Sequence, residues 1–155
     1  MRAYSIRKAR PDDLANITRI TREAYAIYVE RLGREPKPML RDYMSAIEAG
    51  DVSLLDVEDA LAGVLVLERE PDHILIYSIA LAPTFQGQGF GKTLMDFAET
   101  LTREAGLSEV RLYTNEKMTR NIAFYTSLGY VETARRPAEH HPESIVVFMS
   151  KAIQS

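Results

Sequence analysis

The feature that most constrains the fold is a glycine-rich turn between an apolar segment and an amphipathic one. The apolar segment spans residues 73–82 and stops before Pro83, which cannot continue a strand ladder. Residues 89–105 then place apolar side chains at helical spacing, and Gly106 follows where helices commonly end. The pattern predicts a strand, a tight turn and a helix, in that order.

Strand and helix patterns alternate along the rest of the chain. Pro11 and the carboxylates beside it favour a helix start, and apolar spacing extends that helix to about Arg31. The other patterns predict helices over 38–49 and 119–128, and strands over 3–8, 52–57, 60–68, 109–114, 130–135 and 144–151. Residues 134–144 are predicted to be a solvated loop that exposes Arg135 and Arg136. This order is typical of a mixed α/β or α+β domain.

Composition limits the classes of protein and of chemistry. The 155 residues, 46% of them hydrophobic, suffice for one domain with a sizeable core. The absence of cysteine excludes disulfides, thiolate metal sites and a cysteine nucleophile. The net charge of -3 gives no overall positive field for nucleic acid or an anionic membrane, so we expect neither as a partner. With no signal-peptide pattern or apolar run of about 20 residues, a cytoplasmic location is expected.

The glycine-rich turn has the properties of an anion-binding site. Its residues are Gln86, Gly87, Gln88, Gly89, Phe90, Gly91, Lys92 and Thr93. Glycine permits a close approach to the backbone, and the N–H groups of the turn and of the first helical residues point at one spot, beside the positive end of the helix dipole. A lysine in the first turn opposes that dipole, which a bound phosphate between the two would explain. We therefore predict that the turn binds a phosphate-bearing ligand.

Two common phosphate motifs do not fit the turn. The dinucleotide motif G-x-G-x-x-G fails because its last position holds Lys92 or Leu94. The P-loop motif finds its end in residues 91–93, but its first position holds Gln86 instead of glycine. A P-loop nucleotide hydrolase is therefore the least favoured interpretation of the chain.

A third motif does fit. The pattern [Gln/Arg]-x-x-Gly-x-[Gly/Ala] is met by Gln86, Gly89 and Gly91, after IALAP at 79–83. It resembles the acetyl-CoA-binding motif of the GNAT superfamily of N-acetyltransferases. The segments RPDDLANI at 10–17 and NIAFYTSLGYVE at 121–132 also resemble the family's first-helix opening and second signature.

The resemblance implies a fold and a reaction. The fold is a single domain over 1–155, with a mixed, mostly antiparallel sheet of about seven strands flanked by about four helices. The reaction moves an acetyl group from acetyl-CoA to a primary amine, without a metal, in a monomer or homodimer. The acceptor would bind between the first helices and the last strands. Because the chain has no cysteine, the amine would attack acetyl-CoA directly. The leading alternative is a noncatalytic acyl-CoA-binding or sensing domain.

The resemblance also implies roles for individual residues. Backbone groups of Ile79, Ala80 and Leu81 would pair with the pantetheine arm, and residues 86–93 would hold the pyrophosphate. Tyr125 matches the family's general acid, and a phenol with a pKa of about 10 is protonated at neutral pH.

The chain departs from the family's pattern at two points. Met118 stands where the family often has asparagine, so Asn115 and Asn121 are the candidates to supply an amide. Tyr77 and Tyr113 occupy the positions where the family often has a glutamate base. No base is assigned, and the remaining candidates are Glu68, Glu70, Asp72 and Glu116.

The acetyl-CoA interpretation and the P-loop interpretation of the turn predict different ligands. Acetyl-CoA at 100 times its Kd should stabilise the folded chain by about 2.7 kcal/mol, because it binds the folded state alone. ATP with Mg²⁺ should have no comparable effect. Thermal unfolding with each ligand is the measurement, and stabilisation by ATP alone would reverse the assignment.

Overall fold

The computed structural model describes residues 2–154, which form strands and helices in an alternating order. The strands are β1 (Tyr4–Lys8), β2 (Val52–Val57), β3 (Ala60–Arg69), β4 (Ile74–Leu81), β5 (Glu109–Asn115), β6 (Val131–Ala138) and β7 (His141–Ala152). The α-helices are α1 (Leu14–Leu32), α2 (Lys37–Leu40), α3 (Tyr43–Glu48), α4 (Phe90–Glu104) and α5 (Thr119–Ser127). Short 3₁₀ turns at Pro11–Asp13 and Pro83–Phe85 precede α1 and the glycine-rich turn. Among the described residues, no helix is both long and apolar enough to cross a membrane.

The strands form one sheet in the order β1-β2-β3-β4-β5-β7-β6. Strands β4 and β5 are parallel, and β1 with β2, β2 with β3, β5 with β7, and β6 with β7 are antiparallel. The predicted mixed, mostly antiparallel sheet of seven strands is thus confirmed.

The chain groups into two compact units, one comprising residues up to Glu68 with Tyr77–Asp96, the other Arg69–Ile76 with residues from Phe97 onward. A single domain over the whole chain remains a prediction.

In the first unit, α1 follows from its sequence pattern. Its buried face carries Ile17, Ile20, Tyr25 and Tyr28, at the spacing of one side of a helix. The helix ends at Gly33, whose φ of 74° is left-handed and whose N–H donates to the Val29 carbonyl.

The single helix predicted over 38–49 is wrong, because the chain forms α2 and α3 with a break between them. Arg41 is extended, and the Asp42 carboxylate accepts hydrogen bonds from the N–H groups of Met44 and Ser45 at 3.1 and 3.3 Å. Those bonds satisfy two donors at the start of α3, so the second helix begins at Tyr43.

The loop predicted over 134–144 is also wrong. In the second unit β6 continues to Ala138 and β7 starts at His141, so the strands form a hairpin around a two-residue turn at 139–140. Sequence patterning predicts a strand over 130–135 but misses its extension to Ala138, because β6 is an edge strand whose residues are mostly exposed, so apolar and polar positions do not alternate. Proline at 137 is tolerated because an edge strand leaves one side of its backbone unpaired.

An ion-pair network joins β1 and β2 to the start of α1. Arg7 donates to the Asp13 carboxylate at 2.9 and 3.2 Å and to Asp56 at 2.7 Å. Asp13 also accepts the Arg10 backbone N–H at 2.7 Å. The hydrogen bonds from Arg7, followed by that from Arg10, hold the pKa of Asp13 below its ordinary value, although burial acts in the opposite direction.

Removing the Asp13 charge should destabilise the fold. Asp13→Asn should lower the free energy of unfolding by about 2 kcal/mol at neutral pH, because charge-assisted bonds to Arg7 are lost. The stabilisation is complete above the unfolded-state pKa of about 4 and is lost as the pH falls through the lower folded-state pKa.

Urea unfolding at neutral and acidic pH is the measurement. The parent and Asp13→Asn should therefore converge in stability at low pH. Asp12→Asn is the matched control, because the Asp12 side chain is 80% exposed, and it should change stability by less than about 0.5 kcal/mol. Equal losses from the two substitutions would contradict the network's role.

Candidate active site

The glycine-rich turn leads directly into the amino-terminal end of α4. Gly87 and Gly89 have φ values of 78° and 87°, a left-handed backbone conformation that residues with a side chain rarely adopt. A Cβ added at either glycine would meet no atom within 4 Å. The side-chain amides of Gln86 and Gln88 donate to the carbonyls of Leu81 and Thr84 at 3.1 and 2.9 Å. The turn is therefore braced by its own glutamines and leaves open space over its glycines.

The aromatic residue of the turn belongs to the core. Phe90 is 1% exposed and packs edge-to-face against Phe85 and Tyr4, with ring centroids 6.2 and 6.4 Å away. Its burial fixes the first residue of α4, so Phe90 can offer a ligand its backbone N–H while its ring stays in the core.

Lys92 has a protein partner. Its ammonium lies 2.8 Å from the Asp96 carboxylate one helical turn away, and both side chains are exposed. A bound phosphate is therefore not required to explain a lysine in the first turn. The Thr93 hydroxyl donates to the Gly89 carbonyl at 3.2 Å, a bond that closes the turn.

The strand before the turn presents alternating side chains. Ala80 is buried, whereas Ile79 and Leu81 are half-buried on the other face. The Ile79 carbonyl accepts the Tyr25 hydroxyl at 3.2 Å, so α1 is tied to the strand segment predicted to bind pantetheine. Residues 79–81 and the turn lie in the same compact unit.

The other predicted site residues lie in the second unit. Tyr125 is 5% exposed on α5 and packs against Phe124 and Tyr130, with ring centroids 5.4 and 6.1 Å away. The side-chain amide oxygen (Oδ1) of Asn115 accepts the Lys117 N–H at 2.9 Å, which closes the turn after β5.

Met118 fills a buried position at the start of α5. Its sulfur accepts the Thr114 hydroxyl at 3.2 Å and the Asn121 amide at 3.8 Å. The thioether thus takes part in local contacts at the position where the family often has an amide.

The carboxylates that are candidates for the general base differ in their surroundings. Glu68 lies 2.8 Å from the Arg41 guanidinium, which stacks 4.1 Å above the Tyr77 ring. A hydrogen bond with His73 holds the pKa of Asp72 below its ordinary value, and Glu116 pairs with an arginine. Glu68 is therefore the candidate that lies beside Tyr77, a cluster that spacing along the sequence does not reveal.

Comparison with known proteins identifies the family. The model of the Acetyltransferase (GNAT) family matches residues 15–130, well over half of the chain. The chain belongs to this family.

The GNAT chain resembles relatives in sequence and solved structures in fold. An uncharacterized N-acetyltransferase of Chlorobaculum tepidum is 31% identical over 143 residues, which cover 90% of this chain and 81% of the relative. A mycothiol acetyltransferase of Renibacterium salmoninarum is 28% identical, over 54% of this chain and only 32% of the relative. The PaiA N-acetyltransferase of Thermoplasma acidophilum, solved with coenzyme A, has a TM-score of 0.78 at 19% identity, covering 97% of this chain and 99% of that one. The predicted GNAT fold is thus confirmed.

A side chain at Gly89 should block ligand binding. Gly89→Val should weaken acetyl-CoA binding at least about tenfold, because a β-branched side chain would occupy the open space over the turn. Gly106→Val is the matched control. Gly106 has a φ of 73° and equally open surroundings, but it follows the other end of α4.

Calorimetric titration with acetyl-CoA, together with urea unfolding, is the measurement. Both variants should lose similar stability, and only Gly89→Val should lose affinity. A folded Gly89→Val variant with parental affinity would show that the turn does not bind the cosubstrate.

Proposed function

We propose that this GNAT chain is an acetyl-CoA-dependent N-acetyltransferase that moves the acetyl group directly to a primary amine. The observation that carries the proposal is the open turn, in which two left-handed glycines lead to the amino terminus of a 15-residue helix. Backbone N–H groups at such an end favour a pyrophosphate, the group that acetyl-CoA carries. Membership of the family supports the same ligand.

The contacts proposed with the cosubstrate follow from these surroundings. Residues 86–93 would bind the pyrophosphate through backbone N–H groups, and Ile79, Ala80 and Leu81 would pair with the pantetheine arm. One N–H group of that strand would polarise the acetyl carbonyl, since a developing oxyanion is stabilised by a fixed donor. Asn115 and Asn121 are proposed as further contacts, at the end of β5 and on the first turn of α5.

Tyr125 is proposed to protonate the departing thiolate. After the amine attacks the thioester carbon, the carbon–sulfur bond breaks and the sulfur takes the proton of Tyr125. The nitrogen gives its proton to solvent, which returns one to the tyrosinate. The stack with Phe124 and Tyr130 would fix the position of the Tyr125 ring, as a general acid requires.

The acceptor is proposed as a class of molecule and not as a single compound. The acceptor is the primary amine of a small molecule or of a peptide. The names of two relatives, a mycothiol acetyltransferase and a ribosomal protein bS18-alanine N-acetyltransferase, support considering both kinds of acceptor. A cytoplasmic location and a monomeric or homodimeric state stay predictions.

A screen of amines for release of free CoA thiol tests the proposed function. The protein has no cysteine, so every thiol that a colorimetric reagent detects comes from the cosubstrate. Acetyl-CoA binding without turnover of any amine would favour the noncatalytic alternative, a domain that binds or senses acyl-CoA.

Tyr125→Phe should separate chemistry from binding. The variant keeps the ring packing and removes the proton donor, so kcat should fall by roughly 100-fold or more while affinity for acetyl-CoA stays parental. Tyr130→Phe is the control. It removes a hydroxyl that donates to Glu99 at 3.2 Å in the same aromatic stack.

Steady-state kinetics over a range of pH is the measurement. Tyr130→Phe should lose stability and retain kcat. A parental rate for Tyr125→Phe at every pH would remove Tyr125 from the mechanism, and protonation of the thiolate by water would replace it.

A further inference from the structure

A groove lies on one face of the sheet in the second unit. It has a volume of about 510 Å³, within the range of small-molecule sites. Its lining includes Leu75, Arg111, Tyr113, Ala134, Arg136 and Phe148. The opposite faces of β5 and β7 hold the core, since Val110 and Val147 are buried there.

The floor of the groove is aromatic. Tyr113 of β5 and Phe148 of β7 are directly paired across the two strands, with ring centroids 6.1 Å apart. Ala134 of β6 pairs with Phe148 on its other side and contributes only a small side chain there. Both rings are half-buried, so a flat apolar group would find a platform here.

The two ends of the groove differ in charge. At one end Arg111 is paired with Glu109 and with Asp72, which lies 3.6 Å away, so its charge is compensated. At the other end the Arg136 guanidinium stacks 4.3 Å above the Phe148 ring. No carboxylate of residues 2–154 forms an ion pair with Arg136. The planar guanidinium can donate two parallel hydrogen bonds to a carboxylate, and its stacking on Phe148 keeps it at the aromatic floor.

The preceding residue shows that this arrangement is particular to position 136. Arg135 is bound to Glu132 at 2.8 and 3.0 Å and to Glu116 at 3.2 Å, and it does not line the groove. Neighbouring arginines on one strand thus have different partners, because successive side chains point to opposite faces.

We propose that this groove binds the amine acceptor, and that the acceptor class is a primary amine carrying a flat apolar body and a carboxylate. The apolar body would lie on Tyr113 beside Phe148, and the carboxylate would pair with the Arg136 guanidinium that stacks on the Phe148 ring. This assignment rests on the proposed acetyltransferase function. It deepens that function by naming the chemistry of the acceptor.

A ligand that cannot be acetylated tests the groove apart from the reaction. 3-Phenylpropionate has the ring and the carboxylate but no amine. In NMR titrations of the full chain it should shift the resonances of Tyr113 and Phe148. It should bind at least about tenfold tighter than propionate, which lacks the ring, or 3-phenylpropanol, which lacks the charge.

Two matched variants test the role of Arg136. Arg136→Gln should weaken 3-phenylpropionate at least about tenfold and leave 3-phenylpropanol unchanged, while Arg135→Gln should leave both unchanged. Phe148→Leu should weaken both phenyl compounds. Equal affinities of the parent and Arg136→Gln for 3-phenylpropionate, or shifts confined to other parts of the chain, would overturn the site.

Kinetics then test whether the bound molecule is the acceptor. In the parent, kcat/KM should be higher for L-phenylalanine than for phenethylamine, and Arg136→Gln should reduce that ratio at least about tenfold. Acetylation of amines with no preference for the carboxylate would overturn the acceptor assignment while leaving the proposed function intact. Failure of the parent to bind acetyl-CoA would instead overturn the proposed function, whatever the outcome of the 3-phenylpropionate titration.

Discussion

The burial of Phe90 is the packing interaction on which the candidate site depends. Phe90 is the first residue of α4, and its ring lies in the core against Phe85 and Tyr4. Full burial of such a ring contributes about 1.5–3 kcal/mol, enough to hold the start of the helix in one place. The left-handed glycines let the chain reach that point without strain. A hydrophobic contact thus fixes where the polar backbone donors point.

The second unit uses packing in a comparable way around Tyr125. The sulfur of Met118 receives two side-chain donors at the start of α5, and Tyr125 lies between Phe124 and Tyr130 in the aromatic stack. Tyr130 in turn donates to Glu99, which is paired with Lys151 at 3.0 Å. A buried aromatic ring with a polar partner at its tip is restrained in both position and rotation. The same restraint suits a proton donor that must stay in place while a bond breaks.

Local pairing governs the electrostatics of the chain more than its net charge does. Arg7, Arg41, Arg111 and Arg135 each lie beside a carboxylate, so their fields are largely cancelled. The positive groups that remain suited to a ligand are of another kind. One is the set of backbone donors at the start of α4, and another is Arg136, which rests on an aromatic ring. An acidic chain with a net charge of -3 can therefore offer anion sites without a global positive field.

The sequence by itself determined the order of strands and helices, the glycine turn before α4 and the family, because periodicity and turn chemistry are local properties. It did not determine the break at Asp42 or the extent of β6, since a side-chain cap and pairing along an edge strand outweigh weak apolar patterns. It also could not show that Lys92 is paired with Asp96, or that Glu68 lies beside Tyr77 through Arg41. Arg135 and Arg136 are identical neighbours in the sequence. Only the tertiary structure gives one of them carboxylates and the other an aromatic groove, because the pleat sends them to opposite faces and the strand register decides what each face meets.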